Sequence, residues 1–291
     1  MRTFSRTALA ILLAATCISA FAQLPFSLPG FGKGGDKGRG LNIGDMVGNL
    51  TKATKETDEP EEIRIGQEFA ATLLGAKPLV ADARVQRYVN ALGRWLAMQT
   101  ERPDLPWTFG VLDDSGFNAF ATPGGHIFVT RGLLERMRSE AELAGVLAHE
   151  IAHVLKKHHL KAVQKNAGVA LLGDFLSAAG KGGNSEARNA LMNVGRKLYA
   201  SGLDKSDEFE ADRLGVVIAA RAGFDAYGLP SVLQTLQAKS ASDGEFALLF
   251  KTHPLPEERI QALDKLMKDR FDTLAGVEGR PLKERLGQFG K

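Results

Sequence analysis

Cysteine is nearly absent: Cys17 is the single one in 291 residues. No disulfide can form within the chain, so stability has to come from a buried core, which a chain of this length can supply without covalent or metal staples. Long apolar runs are missing as well. Beyond the N-terminus no uninterrupted apolar stretch is long enough to cross a bilayer, which excludes a protein that threads a membrane several times. The chain also lacks an excess of one charge. Its 37 basic and 34 acidic residues nearly balance, and two of the basic ones, Arg2 and Arg6, lie at the extreme N-terminus. Nucleic-acid binding has no electrostatic support in such a chain. No internal repeat recurs along it, so no solenoid is expected.

What is present falls into three parts. Residues 1–22 read as a secretory leader: Arg2 and Arg6, an apolar run from Ala8 to Ile18, and Ala20-Phe21-Ala22 as a cleavage site before Gln23. Thr16 precedes Cys17, and no Leu stands three residues before it, so a lipid-anchored cysteine is not the reading. Residues 23–57 are rich in glycine (Gly30, Gly32, Gly34, Gly35, Gly38 and others) and carry Pro25 and Pro29, the composition of a flexible linker. Residues 58–291 remain as one domain. Inside it, Ile63–Leu74 and Val85–Leu96 show helical spacing, with Pro103 and Pro106 beyond the second. Strand-like runs follow at Trp107–Leu112, Asn118–Ala121 and His126–Thr130, separated by turns at Asp113–Gly116 and Pro123–Gly125. Almost everything after Arg131 reads as helix. A small antiparallel sheet followed by helices predicts an α+β fold.

The strongest signal is His149-Glu150-Ile151-Ala152-His153. Histidines four apart lie on one helix face and can share one cation. Neutral imidazole suits zinc, one ion per chain. Glu150 sits one position round from His149, where a carboxylate serves as general base rather than ligand. Ser139-Glu140-Ala141-Glu142 is a capping box that starts a helix, and apolar residues from Leu143 to Leu155 line one side of it.

The spacing leaves the third ligand open. His159 stands at the metzincin distance from His149, but that motif needs a glycine midway to turn the chain, and Lys156 occupies the place. A helix continuing past Lys156 would carry His159 away, leaving Lys156, Lys157, His158 and His159 as a solvated basic helix end. The alternative is a carboxylate from Ser206-Asp207-Glu208-Phe209-Glu210-Ala211-Asp212, with Ser206 as N-cap. Glu208 and Asp212 are four apart; one can ligate while the other accepts a hydrogen bond from a ligand imidazole.

These motifs together resemble metallopeptidase family 48, the group that includes the CAAX prenyl endopeptidase and bacterial membrane-stress proteases. The resemblance spans most of residues 60–265. It is carried by Asn118-Ala119-Phe120-Ala121-Thr122-Pro123-Gly124-Gly125, His126-Ile127-Phe128-Val129, the His-Glu-x-x-His, Glu208-x-x-Ala211-Asp212 and Thr252-His253-Pro254. It implies a mostly helical gluzincin domain with zinc held by His149, His153 and Glu208, and Asp212 behind a ligand histidine. It also implies that Asn118, Ala119, Phe120 and Ala121 form an edge strand along the active-site cleft, which an extended peptide can join.

His253 is placed beside that cleft, where two roles are open. It can donate a hydrogen bond to the oxyanion, or occupy the fourth zinc position and keep the enzyme latent. Residues 167–183 are expected to form an amphipathic flap near the cleft. The family's stand-alone branch implies a periplasmic metalloendopeptidase acting on polypeptides, misfolded envelope or outer-membrane proteins in particular. Peripheral membrane association is left open, and no nucleic acid is involved. A chaperone-like binding protein with a latent metal site is the rival reading. A non-peptidase zinc hydrolase is a third, disfavoured because a small substrate needs no strand template.

Overall fold

The computed structural model describes residues 57–162, 202–239, 243–253, 256–268, 270–271 and 276–287. The expected leader (1–22), the expected linker (23–57) apart from Thr57, and the expected flap (167–183) lie outside the described residues.

Two helices open the domain. Asp58 caps α1 (Glu59–Ala76) and Asp82 caps α2 (Ala83–Ala97); each aspartate side chain accepts a backbone N–H from the first turn. Three strands follow, β1 (Thr108–Leu112), β2 (Ala119–Thr122) and β3 (His126–Thr130). Among the described residues there follow α3 (Arg131–Arg136), α4 (Glu140–Leu155), α5 (Lys205–Arg221), α6 (Gly228–Gln237), α7 (Ala247–Thr252), α8 (Pro256–Met267) and α9 (Leu282–Leu286). The α+β reading holds, with helix dominating. No described helix is long and apolar enough to cross a membrane.

The sheet is mixed, which corrects the antiparallel expectation. Its order is β1-β3-β2, with β1 parallel to β3 and β2 antiparallel to β3. The tight Pro123–Gly125 turn makes β2 and β3 a hairpin, as the turn residues suggest. The link from β1 to β2 instead skips a strand position. Phe117 in that link donates its N–H to Glu245 O and packs its ring 5.2 Å from that of Phe246, drawing the chain past β3 before β2 begins. The outer edge of β1 is closed by side chains of α2. Asn90 Oδ1 accepts from Phe109 N, and the Gln86 amide both accepts from Val111 N and donates to Val111 O.

The centre of the domain is α4, whose residues from Ala141 to Leu155 are all buried. It packs most extensively on α5, then on α6. Gly215 permits the first of these approaches: a Cβ there would stand 3.0 Å from the backbone N and Cα of His149. The α5 helix therefore passes directly beside the first histidine of the motif.

Ser139 caps α4 and its Oγ accepts from Glu142 N, the first half of the expected capping box. Glu142 does not return to Ser139; its carboxylate accepts from Arg138 N, one residue earlier.

Candidate metal centre

His149 and His153 project from α4 so that their Nε2 atoms face each other at 3.0 Å. From α5, Glu208 places Oε2 3.6 Å from His149 Nε2 and Oε1 3.5 Å from His153 Nε2. His253 follows α7 and sets Nδ1 2.9 Å from Glu208 Oε2. All four residues are buried, and their donor atoms lie within 4.8 Å of one another. The His253 ring is thus in the interior, not on the surface.

This arrangement fits a cation. Two facing imidazole nitrogens can share at most one proton between them, and the carboxylate beside them only accepts. Lone pairs thus converge on one buried point, which is costly unless a positive charge sits there. Donors about 2 Å from a tetrahedral zinc would be about 3.3 Å apart, close to the spacings found. Burial alone would raise the Glu208 carboxyl, but His253 and Arg259 against it bring it down to about 2, so it is ionised. Burial, reinforced by the neighbouring histidines, holds His153 far below the usual imidazole range, leaving it neutral and able to ligate.

Behind His149 stands Asp212, whose Oδ1 is 3.0 Å from His149 Nδ1. Arg259 from α8 grips Asp212 with two bonds, Nε to Oδ2 at 2.8 Å and Nη2 to Oδ1 at 2.6 Å, and its Nη1 lies 3.3 Å from Glu208 Oε2. Arg259 is itself buried. Burial opposes charge on both partners, yet each outweighs it for the other: Asp212 is held well below the carboxylate range and Arg259 above its own.

Glu150 is buried, and burial raises its carboxyl. It lines a small cleft with Ala119, Phe120, His159, Thr252 and His253, so β2 and the second motif residue border the same space. Of the other two strand residues, Ala121 is fully buried and Asn118 nearly so. Asn118 Oδ1 accepts from Ala119 N, while its Nδ2 has no hydrogen-bond partner among the described residues.

Two local expectations need correction. The α5 helix starts at Lys205 behind Asp204, so Ser206 is inside the helix rather than its cap. And α4 does not run on: it ends at Leu155, Lys157 adopts φ 56°, and helix resumes at 158–162. A non-glycine residue thus takes the left-handed turn. Lys157 Nζ is fixed there, 3.4 Å from buried Glu62 Oε2 and 3.3 Å from Thr57 O.

His158 and His159 consequently turn inward instead of forming a solvated end. His158 is buried, and the His159 ring lies 5.4 Å from that of His153. Burial brings the His159 imidazole down to about 3. It stands beside the four-donor group without belonging to it. Sequence reasoning missed Arg259, His158 and Glu210. Only the first had a signal: an interior aspartate calls for an interior cation.

Peptidase family M48 matches this chain over residues 83–267. The beta-barrel assembly-enhancing protease of Escherichia coli (strain K12) is 31% identical over 271 residues, covering 89% of this chain and 52% of that protein. The protein of the same name from Yersinia pestis is 29% identical over 222 residues, 74% of this chain and 45% of its own length. The mitochondrial metalloendopeptidase OMA1 of Schizosaccharomyces pombe is 29% identical over 182 residues, 62% of this chain and 53% of its own. The chain spans about half the length of the curated relatives it matches.

Proposed function

We propose, since this chain belongs to peptidase family M48, that it is a zinc-dependent metalloendopeptidase that cleaves misfolded envelope or outer-membrane proteins in the periplasm. The observation that carries the chemistry is the convergence of His149, His153, Glu208 and His253 within 4.8 Å, beside a cleft that Glu150 shares with Ala119 and Phe120. The substrate class rests on what the relatives are called, and the compartment on the leader-like pattern of the first 22 residues.

His149, His153 and Glu208 would hold the ion. Zinc bound there would supply Lewis acidity toward water and a peptide carbonyl. Asp212 accepts from His149 Nδ1 and keeps that ring's other nitrogen turned toward the ion. Glu150 takes a proton from the attacking water onto its carboxylate and returns it to the departing amine. An extended substrate lies along the β2 edge, meeting Ala119 and Phe120 where they line the cleft, while Asn118 and Ala121 fix that strand's course from the interior. Glu150→Gln should abolish cleavage of an unfolded polypeptide while zinc per chain stays at the parent's value. Turnover at the parent rate in that variant would sink the mechanism.

A second reading, a latent or chaperone-like state of the same protein, is favoured by the place of His253. Its Nδ1 is within the donor group, and by exchanging its hydrogen bond to Glu208 for a bond to the ion it would fill the position that a water needs. His253→Ala then raises peptide cleavage. If His253 instead donates to the oxyanion, the same change lowers cleavage about a hundredfold. The sign of the change, read in a steady-state assay, decides between them.

A further inference from the structure

The turn at Lys157 brings into the interior a histidine that the His-Glu-x-x-His motif does not include. His158 Nδ1 lies 2.9 Å from His153 Nδ1, and His158 Nε2 lies 3.2 Å from Glu210 Oε2 on α5. We propose that Glu210 and His158 form a one-way hydrogen-bond relay that fixes the tautomer of His153, making both of them positioning residues for the metal centre. The inference rests on the metal reading of that centre.

The direction of the relay follows from what each atom can do. A glutamate carboxylate only accepts. His158 Nε2 must therefore carry the hydrogen and donate to Glu210 Oε2. In a neutral imidazole the other nitrogen is then bare, so His158 Nδ1 accepts. The atom facing it, His153 Nδ1, has to be the donor. A neutral His153 protonated on Nδ1 has a bare Nε2, and that is the nitrogen directed at His149 Nε2 and Glu208 Oε1. Reversing the relay would put a hydrogen on His153 Nε2, pointing into the four-donor group and excluding a cation.

Further charged groups among the described residues face the relay. Asp207 Oδ1 lies 3.8 Å from His158 Nε2, and Lys156 Nζ lies 3.6 Å from Glu210 Oε1. The aspartate favours the same donor direction, and the lysine favours the ionised glutamate. Both ligand imidazoles thus end on a carboxylate, one directly and one through a second imidazole. Partners of this kind orient a ligating histidine and raise its affinity for metal.

The test is the zinc affinity of the full chain, measured by competition with a chromophoric chelator. His158→Phe keeps a ring but removes both nitrogens and should weaken binding roughly ten- to a hundredfold. His158→Asn, whose Oδ1 can still accept from His153 Nδ1, should recover most of that loss. Glu210→Ala, at a half-exposed position that leaves the core intact, should weaken binding in the same direction. It decides the matter alone if His158→Phe does not fold. Parent-like affinity in His158→Phe or in Glu210→Ala overturns the relay while the metal reading stands. A parent chain that binds no zinc overturns the metal reading itself.

Discussion

The two motif histidines sit on one helix, yet they are supported in opposite ways. His149 leans on Asp212, a carboxylate sealed in the interior, and that carboxylate needs a sealed cation, Arg259, to stay charged. His153 leans on His158, a neutral ring, which passes the hydrogen bond outward to Glu210, whose side chain is 38% exposed. The difference shows two solutions to one problem. A buried charge has to be paired or the site is destabilised. A relay through a histidine lets the charged end remain at the surface, where water shares the load. The first support is rigid and expensive to break; the second is softer and tolerant of change at its outer end.

The comparison can be broken from either side. The largest effect is expected at Asp212→Ala, which removes both charge-assisted bonds to the buried Arg259 and leaves Glu208 as its ion-pair partner among the described residues. Urea unfolding of the chelator-treated chain should show a loss of roughly 3–5 kcal/mol. An Asp212→Ala chain as stable as the parent would mean that the interior pair is not what holds this arm. At the other arm, Glu210→Ala should change the stability of the same chelator-treated chain by less than about 1 kcal/mol, because an exposed ion pair contributes little. A loss there as large as at Asp212 would erase the contrast between the two supports. Chelator treatment matters in both cases, since bound metal would add its own stabilisation to the folded state.

What could be read in advance followed the reach of local rules. The helix carrying His149 and His153 was legible because its cap, its apolar periodicity and the i, i+4 spacing all lie within one short stretch. The β2–β3 hairpin was legible from Pro123-Gly124-Gly125, where Gly124 and Gly125 have positive φ. The mixed sheet was not, because no local signal tells a chain to skip a strand position; Phe117 does so through contacts with residues far along the sequence. Glu208 was one of two equivalent acids by spacing, and only the family resemblance singled it out. The inward turn of His158 was hidden for a different reason. The rule for such a turn looks for glycine, and here a lysine takes φ 56° while its ammonium is held by Glu62. Long-range anchoring overrode the local preference that glycine would otherwise satisfy. Arg259 had an indirect signal only: an interior Asp212 calls for an interior cation, but no local rule says which residue supplies it.

The assignment of the metal centre is tested most directly by counting zinc in three purified chains, the parent, Glu208→Gln and His159→Ala. Both substituted residues lie beside His153, but only Glu208 is in the four-donor group. The account predicts one zinc per chain in the parent, a loss of zinc from Glu208→Gln, and one zinc retained by His159→Ala. Zinc lost from His159→Ala and kept by Glu208→Gln would contradict it.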